Sequence, residues 1–247
     1  MISAATVYAA SAGVYAVVIA ALVLWLRRIP EAYHKYCYPV LGIVVISGIA
    51  VALDAAGIGT VVVNEYPITI PSLLGDLIAY PALWAVAALL AGVGRRMLAI
   101  TIALPFVQRA SFTIAATTGG LIALVMLAVL VGGHLVLLYL YRNQIWEAAQ
   151  SVSDEQRLLH WKGRNLLLFL IGMIIVSAVL ALSGLFDNFV SAVLTQYMNL
   201  LIRAGFAGFL FANVTNIDIG DAGGSLLDEI GGAGDAGGGP TNPDPAD

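Results

Sequence analysis

An arginine lies in the middle of an apolar segment near the end of the chain. The segment reads YMNLLIRAGFAGFLFAN from residue 197 to 213, and Arg203 is its only charged residue. A charge at the centre of a bilayer costs about 2.5–3.5 kcal/mol on insertion scales, so such a residue needs a partner or a function. Asn199 precedes Arg203 by one helical turn and is expected on the same face of the helix.

Other polar residues with possible chemistry are spread over separate segments. Arg109, with Gln108 beside it, is expected either to line a helix interface or to reach the lipid headgroups if its span is displaced by a turn. His134 is expected to be an interhelical hydrogen-bond donor, with a proton relay as the alternative. His160 is predicted to be a solvated loop residue. Three dispersed histidines predict no metal site, and the single cysteine, Cys37, excludes an internal disulfide.

The composition indicates an integral membrane protein. Of the 247 residues, 60% are hydrophobic and only 11% are charged, which is not the composition of a soluble domain. The first apolar segment has its arginines after it rather than before it, the reverse of a cleavable signal peptide, so we expect it to stay as a span. The expected surroundings are the lipid bilayer of the cell membrane, and no nucleic-acid partner or enzymatic activity is predicted.

Seven apolar runs are long enough to cross about 30 Å of hydrocarbon as helices. The fourth and fifth are separated only by TTGG at 117–120, which predicts a tight turn. Ser153, followed three residues later by Gln156, predicts the N-cap of the sixth helix, which extends beyond the membrane. The predicted spans are 5–26, 38–58, 70–92, 97–117, 121–141, 164–184 and 190–213.

The cations support this number of spans and give them an orientation. Nine of the 11 lysine and arginine residues fall on one side of the membrane if the N-terminus is outside, and the loops on the other side have none. The sequence therefore predicts an all-α membrane protein, a seven-transmembrane-helix bundle with its N-terminus outside and its C-terminus cytoplasmic. The nine are Arg27, Arg28, Lys35, Arg95, Arg96, Arg142, Arg157, Lys162 and Arg164.

The end of the chain has a different composition. It is rich in glycine, proline and aspartate and contains no lysine or arginine. Such a segment does not bury enough apolar surface to fold, so a seven-helix domain over 1–216 and a disordered cytoplasmic tail over 217–247 are predicted. The acidity of the tail is typical of proteins from a high-salt cytoplasm, such as those of halophilic archaea.

Several motifs together resemble the microbial rhodopsin family, that is, bacteriorhodopsin and its sensory and ion-pumping relatives. The last span has Tyr197, Asn199 and Arg203 followed by AGFA. At these places the family has a tyrosine or similar residue, an aspartate counterion and the retinal-binding lysine, followed by VGFG. The resemblance covers residues 5–215 and implies the seven-helix rhodopsin fold. Further similar segments are KGRNLLLF at 162–169, CYPVLGIVVISGIAVALDAAGIG at 37–59 and PSLLGDLIAYP at 71–81.

The departures from the family pattern bear on the cofactor. A retinal Schiff base needs a primary amine, but Arg203 stands at the lysine position, and the only lysines are Lys35 and Lys162 in predicted cytoplasmic segments. Covalent retinal is therefore excluded, while a non-covalent retinoid or carotenoid remains open. The resemblance also places other residues at family positions for the counterion, the arginine of the third helix, the cytoplasmic aspartate and the aromatic retinal box. These residues are Gly75, Ser72, Val86, Ile171, Ile174, Ile175 and Ala178.

The resemblance implies a polar network in the centre of the bundle. Family positions that face the central cavity are occupied here by Asp54 and Asp76, beside Asn199 and Arg203 on the last helix. Arg203 is predicted to pair with Asp76, with Asp54 and Asn199 sharing its hydrogen bonds, because pairing is the least costly way to keep either charge in a membrane. Tyr80 and Tyr197 complete the predicted pocket. The network either fills a disused retinal site or surrounds a functional cavity.

Three classes of function follow. The first is a non-photochemical sensory, scaffold or ligand-binding relative of the opsins, which could form homo-oligomers or join a membrane transducer as family members do. The second is a light-independent proton or ion transporter or channel that uses Asp54, Asp76 and Arg203. The third is an intramembrane aspartyl protease using the two aspartates, and it is the weakest because LLGD at 73–76 lacks the first glycine of the GxGD motif. Assignment by family similarity alone would predict photoreceptor or ion-channel activity.

Overall fold

The computed structural model describes residues 4–64 and 66–217 and forms a bundle of seven long helices. Each helix is long and apolar enough to cross a membrane, which confirms the seven predicted spans and a multi-pass protein of the cell membrane in contact with lipid. The predicted tail lies outside the described residues, apart from Ile217. The helices are α1 (Ala4–Leu26), α2 (His34–Ala55), α3 (Ile70–Leu89), α4 (Arg95–Thr117), α5 (Gly120–Arg142), the short α6 (Gln144–Ala148), α7 (Asp154–Leu182) and α8 (Asn188–Asn213).

The long helices form a closed ring. Consecutive helices pack side by side because their short connections force antiparallel neighbours, and α8 packs back against α1 and α2. α3 also contacts α7 across the interior. Because α3, α4, α7 and α8 border this interior, side chains distant in sequence can meet there.

The tight turn between α4 and α5 is confirmed. α4 ends at Thr117 and α5 begins at Gly120, within a residue of the predicted boundaries. Gly120 has a φ of 61°, in the left-handed region that glycine adopts without steric cost. The fourth span is therefore not displaced by a turn. Of the two expectations for Arg109, this favours a helix interface over the lipid headgroups.

A β-hairpin joins α2 to α3, where the sequence predicted only a loop. β1 (Thr60–Val63) pairs antiparallel with β2 (Tyr66–Thr69). Asn64, which follows β1, has a φ of 48° and donates from Nδ2 to the carbonyl of Thr117 at 2.7 Å. The apolar run TVVV lacks the alternation that distinguishes a strand. We call this end of the bundle the hairpin end and the opposite end, with the loop cations, the basic end.

His160 is not the solvated residue that the sequence predicted. It is fully buried at the basic end, with Nδ1 2.8 Å from the carbonyl oxygen of Ala87. Its ring stacks with those of Tyr141 and Trp146, at centroid distances of 6.1 and 6.4 Å. α7 begins at Asp154, where its predicted N-cap places it, and the reason is that His160 lies on the face of this helix that packs against Tyr141 and Trp146.

The basic end is held together by polar contacts to backbone carbonyls. Ser153 is the N-cap of α7 and its side chain accepts from the backbone N–H of Gln156, as predicted. The Gln156 side chain donates to the carbonyl of Leu90 at 3.1 Å, and Arg164 donates to that of Tyr141 at 2.9 Å. These contacts tie α7 to the ends of α3 and α5.

Candidate functional site

The centre of the site is a carboxylate held between two guanidinium groups. Arg203 on α8 donates from Nη2 to Oδ1 of Asp76 on α3, as the sequence predicted for this pair. Arg109 on α4 donates from Nε to Oδ2 of the same carboxylate at 2.9 Å. The Asp76 and Arg203 residues are only 8% and 3% exposed. Each carboxylate oxygen thus has its own charge-assisted hydrogen bond, the strongest kind available to a buried acid.

Arg109 lines a helix interface and does not extend to the headgroups. Besides Asp76, it donates from Nη1 to Oγ1 of Thr113 at 2.7 Å, and its guanidinium carbon lies 5.4 Å from the centre of the Phe112 ring. Sequence reasoning identified Arg109 as an intramembrane cation but did not find its partner. The signal that could have found this partner was depth in the membrane. Asp76 is six positions from the start of α3 and Arg109 is eight positions from the end of α4, which places them about 9 and 12 Å from the hairpin end.

Asn199 and Tyr80 connect α8 to α3 beside this ion pair. The Tyr80 hydroxyl donates to Oδ1 of Asn199 at 2.6 Å. The Arg203 guanidinium carbon lies 5.5 Å from the centre of the Tyr80 ring, within the range of a cation–π contact. Asn199 therefore belongs to the cluster, but its bond is to Tyr80 rather than to the carboxylates.

Asp54 does not share the hydrogen bonds of Arg203, in contrast to the prediction. Its Oδ2 accepts a hydrogen bond from the Ser72 hydroxyl, and Oδ1 is buried without a partner among the described residues. Asp54 lies in the last turn of α2 and Ser72 in the first turn of α3. The acid therefore lies at the hairpin end of the bundle, and it forms a separate contact.

Tyr197 lies outside the cluster. It is 63% exposed on the outer surface of α8. Two residues correspond to a rotation of about 200° around a helix, so a residue two before Asn199 faces away from the interior that Asn199 and Arg203 share. Tyr197 was assigned to the pocket from its place in the family motif, without regard to the side of the helix that it faces.

A cavity of about 170 Å³ adjoins the ion pair. Asp76, Tyr80 and Arg109 form one wall, while Arg203 lies behind Asp76 and does not line it. The cavity runs from Tyr66 and Phe186 at the hairpin end towards the middle of the bundle. The other walls are mostly apolar, with aliphatic and aromatic side chains and the uncharged polar residues Gln108, Ser177, Ser191 and Thr195. They include four residues that the sequence placed at the retinal box. The residues of these walls include Pro105, Leu130, Ile171, Ile174, Ile175, Ala178, Ala181 and Met198.

Among the described residues of the hairpin, Tyr66 is a titratable group that lines this cavity. Tyr66 begins β2 and lines the hairpin end of the cavity. Burial raises the pKa of Tyr66, and the nearby positive charge of Arg109 partly opposes that rise. The Tyr66 hydroxyl therefore stays protonated at neutral pH and can donate a hydrogen bond at the cavity.

His134 lies away from the cavity. It contributes to a groove on the outer surface between α5 and α7, together with Leu135, Phe169 and Met173. A Cβ atom added to Gly172 on α7 would be only 3.3 Å from Nε2 of His134, so the ring packs directly against that helix. The predicted interhelical position is confirmed, while a donor or relay role for His134 stays a prediction.

The fold is similar to that of microbial rhodopsins of known structure. The chain aligns with the thermophilic rhodopsin of Rubrobacter xylanophilus at a TM-score of 0.80 and 18% identity, over 90% of this chain and 100% of that one. It aligns with the light-driven proton pump of Coccomyxa subellipsoidea at 0.78 and 16%, over 85% and 96%.

A third structure, a cyanorhodopsin from Tolypothrix, aligns at a TM-score of 0.81 and 14% identity, over 88% of this chain and 97% of that one. No family model and no curated protein matches the sequence. At these identities the alignments show the fold alone. The chain has the seven-helix rhodopsin fold that the sequence motifs predicted.

Proposed function

We propose that this protein is a light-independent, non-catalytic membrane protein that binds an apolar ligand in the interior of a rhodopsin-like bundle. The observation that supports this most directly is the pairing of Arg203 with Asp76. A guanidinium stands where the resemblance places the retinal-binding lysine, and it forms a salt bridge with a carboxylate. The adjoining cavity remains available to a ligand that is not attached covalently.

The residues present do not fit a covalent retinal. Condensation with the aldehyde requires a primary amine, which a guanidinium does not offer. Lys35 lies in the first turn of α2 at the basic end, and Lys162 is exposed on α7 at the same end. Neither lysine lines the cavity, and the chain has no third lysine. A cavity with aliphatic residues at the positions of the aromatic box further supports non-covalent binding.

The size and lining of the cavity suit a small apolar molecule. Ligand sites are typically apolar with a few convergent polar groups, and here mostly apolar walls meet Asp76, Tyr80 and Arg109 on one side. An engineered apolar cavity of roughly 150 Å³ in another protein binds benzene. A cavity of about 170 Å³ therefore accommodates a chain or ring of comparable size.

The alternative of light-independent transport through Asp54, Asp76 and Arg203 has less support. Between the ion pair and the basic end, the interior is filled by apolar side chains that are fully buried, Leu83, Phe206 and Leu210. A transport path would need polar or hydrated groups there. Homo-oligomers or a membrane transducer partner are further expectations from the resemblance, through which a bound ligand would be sensed.

The proposal is tested by purifying the protein from membranes and analysing what accompanies it. We expect an extracted apolar molecule at about one per chain, and no mass increase after incubation with all-trans-retinal and borohydride reduction. Ala178→Phe fills the cavity and should abolish the co-purified molecule. Val176→Phe on the lipid-facing side, where Val176 is 52% exposed, is the matched control. A covalent retinal adduct, or equal recovery from both variants, contradicts the proposal.

A further inference from the structure

We infer that the ligand of this cavity carries a carboxylate headgroup, which binds Arg109, and a short apolar tail directed towards Ile171 and Ile175. This inference rests on the proposed function, since it names the chemical class of the ligand for the same cavity. It follows from the balance of charges beside the cavity, from the geometry of Arg109 and from the lining of the inner walls.

The charges in direct contact do not balance. Two guanidinium groups, of Arg109 and Arg203, share the single carboxylate of Asp76. The next acid, Asp54, bonds to Ser72 and contacts neither guanidinium in the described part of the chain. The contact cluster therefore contains one more cation than anion. An unbalanced charge inside a membrane protein is costly, and a ligand that supplies the missing anion is favoured over a neutral ligand of the same shape.

Arg109 is the guanidinium with room for a ligand. Its side chain is 17% exposed and lines the cavity, whereas that of Arg203 is 3% exposed and lies behind Asp76. Nε of Arg109 is used by Asp76 and Nη1 by Thr113, and Nη2 has no hydrogen-bond partner among residues 4–64 and 66–217. A free N–H group on an arginine suits a carboxylate, because charge-assisted bonds of this kind are stronger than bonds to neutral acceptors.

The remaining lining indicates a short apolar tail. Beyond Arg109 the cavity continues between Pro105, Leu130, Ile171 and Ile175, which offer no charged group. A volume of about 170 Å³ is only slightly larger than the roughly 150 Å³ that holds benzene elsewhere, so a tail of roughly six to seven carbons fits. A medium-chain fatty acid has this combination of head and tail.

Binding is measured with ω-bromooctanoate, using lipid nanodiscs that contain the full chain. Trp84 lines the cavity, so bromine in the cavity quenches its fluorescence, and Trp84→Phe identifies that part of the signal. We expect saturable quenching by ω-bromooctanoate that octanoate reverses, and binding of the matched alcohol, ω-bromooctanol, that is roughly 10- to 100-fold weaker. Arg109→Gln should weaken binding of the acid by a similar factor and weaken that of the alcohol much less, because a neutral hydroxyl forms the weaker bond to the guanidinium.

The outcomes separate this inference from the proposed function. If acid and alcohol bind equally and Ala178→Phe removes both, the cavity binds apolar ligands but the carboxylate is not selected, and the inference is overturned. If chloride alone displaces the acid as well as octanoate does, the tail is irrelevant and the inference also fails. If neither probe binds, both ideas fail for this class of ligand. The comparison of acid with alcohol needs no variant, so it decides the question even where Arg109→Gln does not fold.

Discussion

Asp76 and Arg203 are separated by 127 positions in the chain, yet a guanidinium nitrogen of Arg203 donates directly to a carboxylate oxygen of Asp76 in the interior of the bundle. Arg109 donates to the other oxygen at 2.9 Å, so one aspartate connects α3, α4 and α8. The strength of these contacts, and what surrounds them, can be measured by removing one partner at a time.

Removal of Arg203 should be strongly destabilising. Arg203→Leu takes away the most buried cation of the cluster and leaves Asp76 with Arg109 alone. Breaking a buried pair costs about 3–5 kcal/mol of unfolding free energy. The measurement is thermal or denaturant unfolding in detergent or lipid. The double variant Arg203→Leu with Asp76→Leu should lose further stability, because it also leaves the partly buried Arg109 without its carboxylate partner. A melting temperature for Arg203→Leu equal to that of the parent shows that the pair is not needed.

Removal of Arg109 should cost less than removal of Arg203. The Arg109 side chain is 17% exposed, and Arg109→Leu leaves the buried Arg203–Asp76 pair intact. We expect a loss of about 1.5–3 kcal/mol, the scale for one hydrogen bond to a charged group. The same unfolding assay compares the two variants directly. A larger effect of Arg109→Leu than of Arg203→Leu contradicts this ranking.

Ser72 should stabilise the fold through Asp54. Ser72→Ala removes the hydrogen bond that Oδ2 of Asp54 accepts, and Oδ1 has no partner among the described residues. Leaving a buried polar group without a partner costs about 1–3 kcal/mol. Ser151→Ala is the control, since that side chain bonds only a carbonyl at the exposed basic end. Equal stability of both variants refutes a role for the Ser72–Asp54 contact.

Tyr66 should ionise at a higher pH than an ordinary tyrosine. Its pKa is raised from 10.0 by burial and partly lowered by Arg109. A group with a raised pKa in the folded state contributes stability that is fully present below pH 10 and is lost as the pH rises through the folded value. In NMR spectra with labelled tyrosine, Tyr66→Phe identifies the resonance. Arg109→Gln should move its titration still higher, and a downward movement contradicts the assigned cause.

His160 should stabilise the fold, and its buried ring should not be accessible to solvent in the folded protein. His160→Leu removes the contact to the carbonyl of Ala87 and the stacking with Tyr141. The unsatisfied carbonyl alone predicts a loss of about 1–3 kcal/mol. Diethyl pyrocarbonate should modify His34, which is only partly buried, much faster than His160. Rapid modification of His160 in the folded protein indicates that the basic end opens.

The fold was more predictable than the site because two different kinds of signal are involved. Apolar length and the distribution of cations are properties of whole segments, and they gave the seven helices and the turn at Gly120. Contacts of single side chains depend on helix rotation and depth, which composition does not contain. Arg203 with Asp76 was predictable because a charge in a membrane requires its opposite. Tyr197, the Ser72–Asp54 contact and the burial of His160 each depended on rotation or on where a helix begins.

The order in which the chain is synthesised determines when each partner of Asp76 becomes available. α3 and α4 are neighbours in sequence and enter the bilayer long before α8 has been synthesised. Arg109 is therefore the first intramembrane cation that can pair with Asp76. With this pair formed, the Asp76 carboxylate has a partner in the bilayer before α8 is inserted. When α8 arrives, its Arg203 meets an acid already positioned by α4. The last helix thus adds a second cation to a carboxylate that already has one partner.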